Sequence, residues 1–89
     1  MLDVQETNPF KRDAKRMQKR GKDMRKLRDI VLSLANGETL ARKHCPHPLK
    51  GNWKPKWDCH IEPDWVLIYE VTTEAVILHR TGAHTDLFD

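Results

Sequence analysis

The sequence predicts an α+β domain in which two helices pack on one face of a small, mainly antiparallel β-sheet. Three observations lead to this prediction. Apolar residues recur with helical spacing within residues 8–36, strand-like patterns dominate residues 57–81, and the links between the later strands are too short for crossover helices. The expected order is strand, helix, helix, loop and three strands, followed by a short tail, which describes a layered α+β fold.

Length and composition bound the class of protein. The 89 residues allow one domain, residues 1–89, with a single modest core. Charged residues make up 33% of the chain and hydrophobic residues 38%, a balance that predicts a folded protein. No apolar run approaches the roughly 20 residues of a membrane-spanning helix, and the first residues lack the pattern of a secretory signal. We therefore expect a cytoplasmic protein without a membrane partner.

The first segment is predicted to hold one short strand and one helix. Alternation at Leu2, Val4 and Glu6 indicates the strand. The helix begins at Thr7-Asn8-Pro9, which offers a polar cap and a proline in the first turn, and Gly21 is placed to end it. The apolar residues of one helical face are Phe10, Ala14 and Met17.

A second helix is predicted to begin near Lys22 or Asp23 and to close at Asn36-Gly37. Its apolar positions recur with helical spacing: Met24, Leu27, Ile30, Val31 and Leu34. Because only about two residues join the two helices, we expect them to lie antiparallel as a hairpin.

Residues 37–56 are predicted to form a loop, because glycines and prolines interrupt any regular element. Three strands are then predicted at Trp57–Glu62, Trp65–Val71 and Ala75–Thr81. Tight turns at Pro63-Asp64 and at residues 72–74 make successive strands an antiparallel meander. The sheet face away from the helices is expected to be free for binding.

Positive charge is concentrated in the first 28 residues. They hold ten Lys and Arg against four Asp and Glu, a balance of +6, whereas residues 29–89 hold six against nine, a balance of −3. Such a basic segment attracts a nucleic acid or an acidic protein partner. The candidate RNA contacts are basic residues of the first helix and of the loop: Lys11, Lys15, Arg16, Lys50, Lys54 and Lys56.

Three histidines, His47, His60 and His84, lie in short non-repetitive motifs in the second half of the chain. Imidazole can both take and give a proton near neutral pH. Cleavage of RNA by its own 2′-hydroxyl needs a base, an acid and positive charge beside the phosphate. With Asp64 these histidines supply the proton-transfer groups, and Arg80 can hold phosphate through two parallel hydrogen bonds.

Aromatic residues near these motifs are candidates for stacking on splayed bases: Trp53, Trp57, Trp65 and Phe88. For Trp57 and Trp65, which fall in predicted strands, a place in the core is the alternative.

A metal-binding set is a further alternative, formed by His44, Cys45, His47, Cys59 and His60. Structural zinc usually shows two tightly spaced ligand pairs. Here Cys59 and His60 are adjacent strand residues, whose side chains point to opposite faces. We therefore expect no metal and no other cofactor.

Three ordered motifs resemble the YafQ branch of the RelE superfamily, the toxins of bacterial toxin–antitoxin pairs. They read His47-Pro48-Leu49-x-Gly51-x-Trp53, His60-Ile61-Glu62-Pro63-Asp64-Trp65-x-Leu67-Ile68-Tyr69 and Arg80-Thr81-Gly82-x-His84-x-x-Leu87-Phe88. The resemblance spans about half of the chain, and the helical half agrees in layout and basic character. It implies a RelE-like fold with the order β-α-α-β-β-β.

The resemblance implies an mRNA interferase, a ribosome-dependent endoribonuclease that cuts translated mRNA in the ribosomal A site without a metal ion. By motif position, the catalytic set is His47, His60, Asp64 and His84, while Trp65 and Phe88 match residues implicated in the active site. The family also implies contact with the ribosome and a cognate antitoxin that wraps the toxin. The alternatives are a non-catalytic RelE-fold module that binds antitoxin or RNA, and a nuclease that acts on naked RNA.

Overall fold

Five strands form one mixed sheet in the computed structural model, which describes residues 1–88. The strands are β1 (Asp3–Glu6), β2 (His47–Pro48), β3 (Trp57–Glu62), β4 (Trp65–Val71) and β5 (Ala75–Gly82). Their spatial order is β1-β5-β4-β3-β2. The antiparallel meander β3-β4-β5 is confirmed, and β1 adds to β5 in parallel. The two-residue strand β2 lies within the segment predicted to be a loop and pairs with β3.

Both predicted helices are present, as α1 (Asn8–Lys19) and α2 (Met24–Ala35), and a single turn, α3 (His84–Leu87), lies in the predicted tail. Thr7 caps α1, since its Oγ1 accepts a hydrogen bond from the Phe10 N–H at 3.1 Å. The same hydroxyl donates to the His79 carbonyl at 2.9 Å, which ties the start of α1 to β5. Within residues 1–88 no helix has the length and apolar character needed to cross a bilayer.

The helices cover one face of the sheet. Their buried residues Phe10, Met17, Leu27, Ile30 and Leu34 form one apolar cluster with the inward side chains of β3, β4 and β5. Both helices contact the sheet more than they contact each other.

The opposite sheet face is partly covered, so the prediction of a free face is wrong in part. Val66 and Ile68 on β4 pack there with Leu87 of α3, and Leu49 and Trp53 from the loop flank them. The physical reason is that β4 carries apolar side chains on both faces, so it needs apolar partners on both sides: Trp65 and Leu67 face the helices, and Val66 and Ile68 face the other way.

Trp65 belongs to the helix-side core and is fully buried. Its indole N–H donates to Thr81 Oγ1 at 2.9 Å, and that hydroxyl donates in turn to the Val66 carbonyl at 2.9 Å. Of the two roles considered for Trp65, the place in the core is the one observed, and its ring is not exposed for stacking on an RNA base. Its ring packs on the face of the sheet that the helices cover.

Asp13 is a buried carboxylate on α1 that joins the helical layer to the end of β5. It accepts hydrogen bonds from the Arg80 Nε and Nη2 atoms, from the Thr81 N–H at 3.2 Å and from Arg16 Nη2 at 3.0 Å. A buried charge is tolerated only with such partners. The C-terminal end of β5 is thus held against α1.

We expect Asp13→Asn to lower the free energy of unfolding by about 3 kcal/mol. That is the low end of the ~3–5 kcal/mol seen when one partner of a buried ion pair is lost, because both arginines remain partly exposed. Chemical denaturation of the variant measures the loss. Asp29→Asn, an exposed helix position on α2, is the control and should change stability by less than about 0.5 kcal/mol. Equal stability of both variants would contradict the role of Asp13.

Candidate active site

His84 begins α3 and lies beside Asp64 in the β3-β4 turn. Its Nδ1 is 2.8 Å from Asp64 Oδ1, and its backbone N–H donates to the same oxygen at 3.1 Å. The hydrogen bond from His84 holds the pKa of the Asp64 carboxyl below its ordinary value. Residues 20 apart in sequence are thereby brought into one pair.

His60 lies next to His84, at the end of β3. The centroids of the two imidazole rings are 5.2 Å apart, with 58° between the ring planes. His60 Nδ1 lies 3.2 Å from the Pro63 carbonyl oxygen. Behind it, His44 Nδ1 contacts the His60 carbonyl at 2.7 Å and fixes the strand at this point. His44 is a supporting residue that sequence reasoning considered only as a metal ligand.

His47 reaches the same sheet face from β2, where it pairs in register with Asp58 of β3. Its Nδ1 lies 3.1 Å from the Cys45 carbonyl oxygen and 3.0 Å from Asp58 Oδ1. The Nδ1–H of His47 donates to the Cys45 carbonyl oxygen. Asp58 Oδ1, by contrast, accepts no aligned hydrogen bond from any donor within residues 1–88.

The three imidazoles share one arrangement. Each Nδ1 faces a carbonyl or carboxylate oxygen, which can only accept, so each Nδ1 must carry the proton. In the neutral ring the lone pair then resides on Nε2, the atom that can take a proton from a substrate. The protein backbone and side chains thus orient three bases in the same way.

Asp58 is the site residue that sequence analysis missed. It is 4% exposed, and it lies on the same strand face as His60, two residues along β3. Burial raises the pKa of its carboxyl, and the imidazoles of His47, His60 and His84 oppose that rise. The spacing of two residues between Asp58 and His60 in a predicted strand could have identified it, because such residues share one face of the sheet.

Aromatic rings border the imidazoles on one side. The Phe88 ring lies 6.1 Å from the His84 ring and 5.6 Å from the Trp53 ring, the latter in an edge-to-face arrangement. Phe88 is 40% exposed, so its ring remains accessible. Trp57, also exposed, lies at the start of β3. Phe88 and Trp53 are the aromatic residues that the fold brings to the predicted catalytic set.

The predicted cationic residues divide into two groups. Arg80 and Arg16 both donate to Asp13, so their guanidinium groups are engaged within the protein. The lysines on α1 and in the loop point to solvent or are half-buried: Lys11, Lys15, Lys50, Lys54 and Lys56. Only this second group is available to a phosphate backbone without breaking an internal ion pair.

The cysteines do not come together. Cys45 is exposed in the loop, whereas Cys59 is fully buried in the helix-side core. Burial raises the pKa of the Cys59 thiol to about 12, so it stays protonated at neutral pH, whereas zinc binds the thiolate. Among residues 1–88, no three His, Cys, Asp or Glu side chains are grouped to hold a metal ion.

Asp86 secures the turn that carries His84. It accepts hydrogen bonds from Arg20 at 2.7 and 3.2 Å and from the Ala83 N–H at 2.8 Å. A Cβ atom on Gly82 would lie 2.9 Å from Asp86 Oδ2, so glycine is required for this close approach. The turn is therefore fixed to α1 by a salt bridge as well as by the Asp13 contacts.

Comparison with known proteins places the chain among bacterial toxins. Residues 2–89 match the family described as the bacterial toxin of type II toxin–antitoxin system, YafQ. The chain is 41% identical over 87 residues to the mRNA interferase toxin YafQ of Escherichia coli strain K12, a match that covers 97% of this chain and 95% of that protein.

Solved structures share the fold over the whole chain. A chain of the Escherichia coli DinJ–YafQ toxin–antitoxin complex superposes with a TM-score of 0.92 and 40% identity, covering 99% of this chain and 98% of that one. A copper-bound mutant toxin from Helicobacter pylori superposes with a TM-score of 0.95 and 38% identity, covering 99% and 100%. The RelE-like α+β fold predicted from the motifs is confirmed.

The Asp86 salt bridge predicts a specific pH dependence of stability. The two hydrogen bonds from Arg20 lower the pKa of Asp86 from 3.8 to about 2. A lowered pKa in the folded state gives stabilisation that is complete above the unfolded value and is lost as pH falls toward about 2. We expect the difference in Tm between the unaltered chain and Asp86→Asn to be largest above pH 4 and to shrink steadily as pH falls toward about 2.

Thermal unfolding between pH 6 and pH 2, followed by circular dichroism, measures this difference. Glu74→Gln, an exposed turn position, controls for the loss of one negative charge. A Tm difference for Asp86→Asn that is constant over the whole range would contradict the salt-bridge account.

Proposed function

This chain belongs to the YafQ family of bacterial type II toxins, and we propose that it is an mRNA interferase, a ribosome-dependent endoribonuclease that cleaves translated mRNA. The observation that carries the proposal is the convergence of His47, His60 and His84, each with Nδ1 held by an acceptor oxygen. Three bases oriented at one end of a sheet are what proton transfer on a single phosphodiester needs. The Escherichia coli relative, an mRNA interferase toxin, supports the same activity.

The proposed reaction is attack of the 2′-hydroxyl on the adjacent phosphorus. A base removes the 2′-hydroxyl proton while the O2′–P bond forms, and an acid protonates the 5′-oxygen as the P–O5′ bond breaks. The products are a 2′,3′-cyclic phosphate and a free 5′-hydroxyl. Side chains supply both proton-transfer groups, so the chemistry needs no metal ion.

His84 is the proposed general acid. Its Nδ1 contacts the Asp64 carboxylate at 2.8 Å, and a carboxylate in this position stabilises the imidazolium that an acid must be. His60 contacts a neutral carbonyl instead, which orients the ring without favouring its charged form. His60, sharing the role with His47, is therefore the proposed general base.

The site is shallow, which supports dependence on the ribosome. The side chains of His47, His84 and Asp64 are 53%, 47% and 71% exposed, so the protein does not enclose an RNA strand. A ribosome-bound mRNA is already held in the A site, and the toxin would need only to present its catalytic groups. The exposed lysines, among them Lys11 and Lys15, are proposed to hold ribosomal RNA. Action on translated mRNA places the protein in the cytoplasm.

A cognate antitoxin is the proposed protein partner. The Escherichia coli relative occurs in a complex with the antitoxin DinJ. We propose that the antitoxin inhibits this chain by covering the imidazole cluster of His47, His60 and His84, since the His47 and His84 side chains are exposed.

We expect His84→Gln to reduce mRNA cleavage at least about 100-fold, since the loss of one acid–base group costs roughly 10²–10⁴. The assay maps 5′ ends of an mRNA translated by purified ribosomes with the purified protein. His79→Gln is the matched control, because His79 pairs with Glu70 away from His47, His60 and His84. This variant should cleave mRNA normally.

Two further arms of that assay separate the alternatives. Naked mRNA should remain intact, whereas cleavage without ribosomes would overturn the ribosome dependence. Protein that has been treated with EDTA and then dialysed should still cleave in the magnesium buffer that the ribosomes need. A requirement for an added transition metal would overturn metal-independent catalysis. No cleavage by the unaltered protein in any arm would favour the non-catalytic binding module.

Co-expression tests the antitoxin proposal. The product of the gene immediately upstream should restore growth to cells that express this chain and should co-purify with it. Persistent growth arrest in the presence of that product would remove it as the antitoxin.

A further inference from the structure

Asp58 has no role in the reaction outlined above, yet it lies beneath the imidazoles. It pairs across the sheet with His47 on β2 and with Ile68 on β4, which places it at the centre of the site face. Its side chain is 6% exposed. A buried carboxylate is costly unless partners stabilise its charge.

The contacts of Asp58 single out His47. Oδ1 lies 3.0 Å from His47 Nδ1, and this oxygen has no aligned hydrogen-bond donor within residues 1–88. The Cys45 carbonyl already accepts the Nδ1 proton of His47. The carboxylate therefore adds negative charge beside a ring whose orientation the backbone has set.

Charge beside a base matters when the base takes up a proton. Proton uptake converts imidazole to imidazolium, and an adjacent carboxylate stabilises the charged ring. Solvent screens a buried carboxylate less than an exposed one such as Asp64. Two of the three imidazoles thus each lie beside a carboxylate. His84 lies beside the exposed Asp64, and His47 lies beside the buried Asp58.

We propose that Asp58 is a positioning residue that acts through His47, its charge stabilising the imidazolium form that the ring takes when it accepts a proton. In this arrangement His47 shares the role of general base with His60, and Asp58 stabilises the charged ring that forms on His47. The inference rests on the proposed nuclease function for its catalytic meaning, but the effect on the His47 ring exists without substrate.

The ionisable groups around Asp58 are few. His47, His60 and His84 face it from β2, β3 and α3. Tyr69 and Cys59 are influenced by its charge from the neighbouring strand positions, and burial raises the pKa of both, so they remain neutral near pH 7. Changes in pH dependence on removal of the Asp58 charge therefore report the imidazoles.

The first experiment uses the full chain without RNA. Nitrogen-15 NMR of the imidazoles follows ring protonation with pH in the unaltered protein and in Asp58→Asn. We expect the midpoint of His47 protonation to move to lower pH in the variant, while the midpoint for His79, which pairs with Glu70, stays in place. Asp29→Asn, an exposed position on α2, is the control for the loss of one negative charge and should leave the His47 midpoint unchanged.

The second experiment is a double-mutant cycle on mRNA cleavage. Asp58→Asn should reduce the rate at least about 10-fold and shift the acid limb of the pH–rate profile to lower pH, because a base beside a neutral amide binds its proton less tightly. In the His47→Gln background, Asp58→Asn should cause no further loss. An equal loss in both backgrounds would indicate a merely structural residue.

The outcomes separate the two proposals. Absence of cleavage by the unaltered protein would overturn the nuclease function, while the NMR titration would still decide the action of Asp58 on His47. Normal cleavage together with an unmoved His47 midpoint in Asp58→Asn would overturn the positioning role alone.

Discussion

The contact of Asp13 with the end of β5 is the constraint on which the site depends. A single buried carboxylate on α1 accepts from two guanidinium groups and from the Thr81 N–H, so the helical layer cannot slide along the sheet. Two residues further along, the chain leaves β5 and turns into α3. Arg20, the residue directly after α1, then binds Asp86, and the turn that presents His84 is held at both ends.

The sheet makes this anchoring useful because it has two different faces. Alternation on β3 sends Cys59 and Ile61 into the helix-side core and leaves Asp58 and His60 on the other side. The second, smaller apolar cluster, around Val66 and Ile68, lies on that other face. The imidazoles lie at the edge of this smaller cluster. Neighbouring atoms there orient each ring, and solvent can still reach its Nε2 atom.

Sequence reasoning succeeded where local pattern decides the outcome. The caps, the glycine ends of the helices and the alternation of the strands predicted both helices and the meander, and the motifs identified the family. It failed where a residue's role depends on what lies across from it. Arg80 was predicted to hold phosphate, yet its guanidinium group is engaged with Asp13, because α1 packs over the end of β5. Trp65, for which the core and base stacking were both considered, is fully buried. Asp58 escaped notice because its partner, His47, lies in a segment without strand character in sequence.

The amino-acid sequence by itself determined the element order, the basic first helix and the identities of the groups able to transfer protons, since these follow from spacing and side-chain chemistry. Only the tertiary structure decided which of those groups meet and how each ring is turned. Ring orientation depends on acceptor oxygens from Cys45, Pro63 and Asp64, and such oxygens carry no signature in sequence because every peptide unit has a carbonyl. Their direction is a property of the folded backbone.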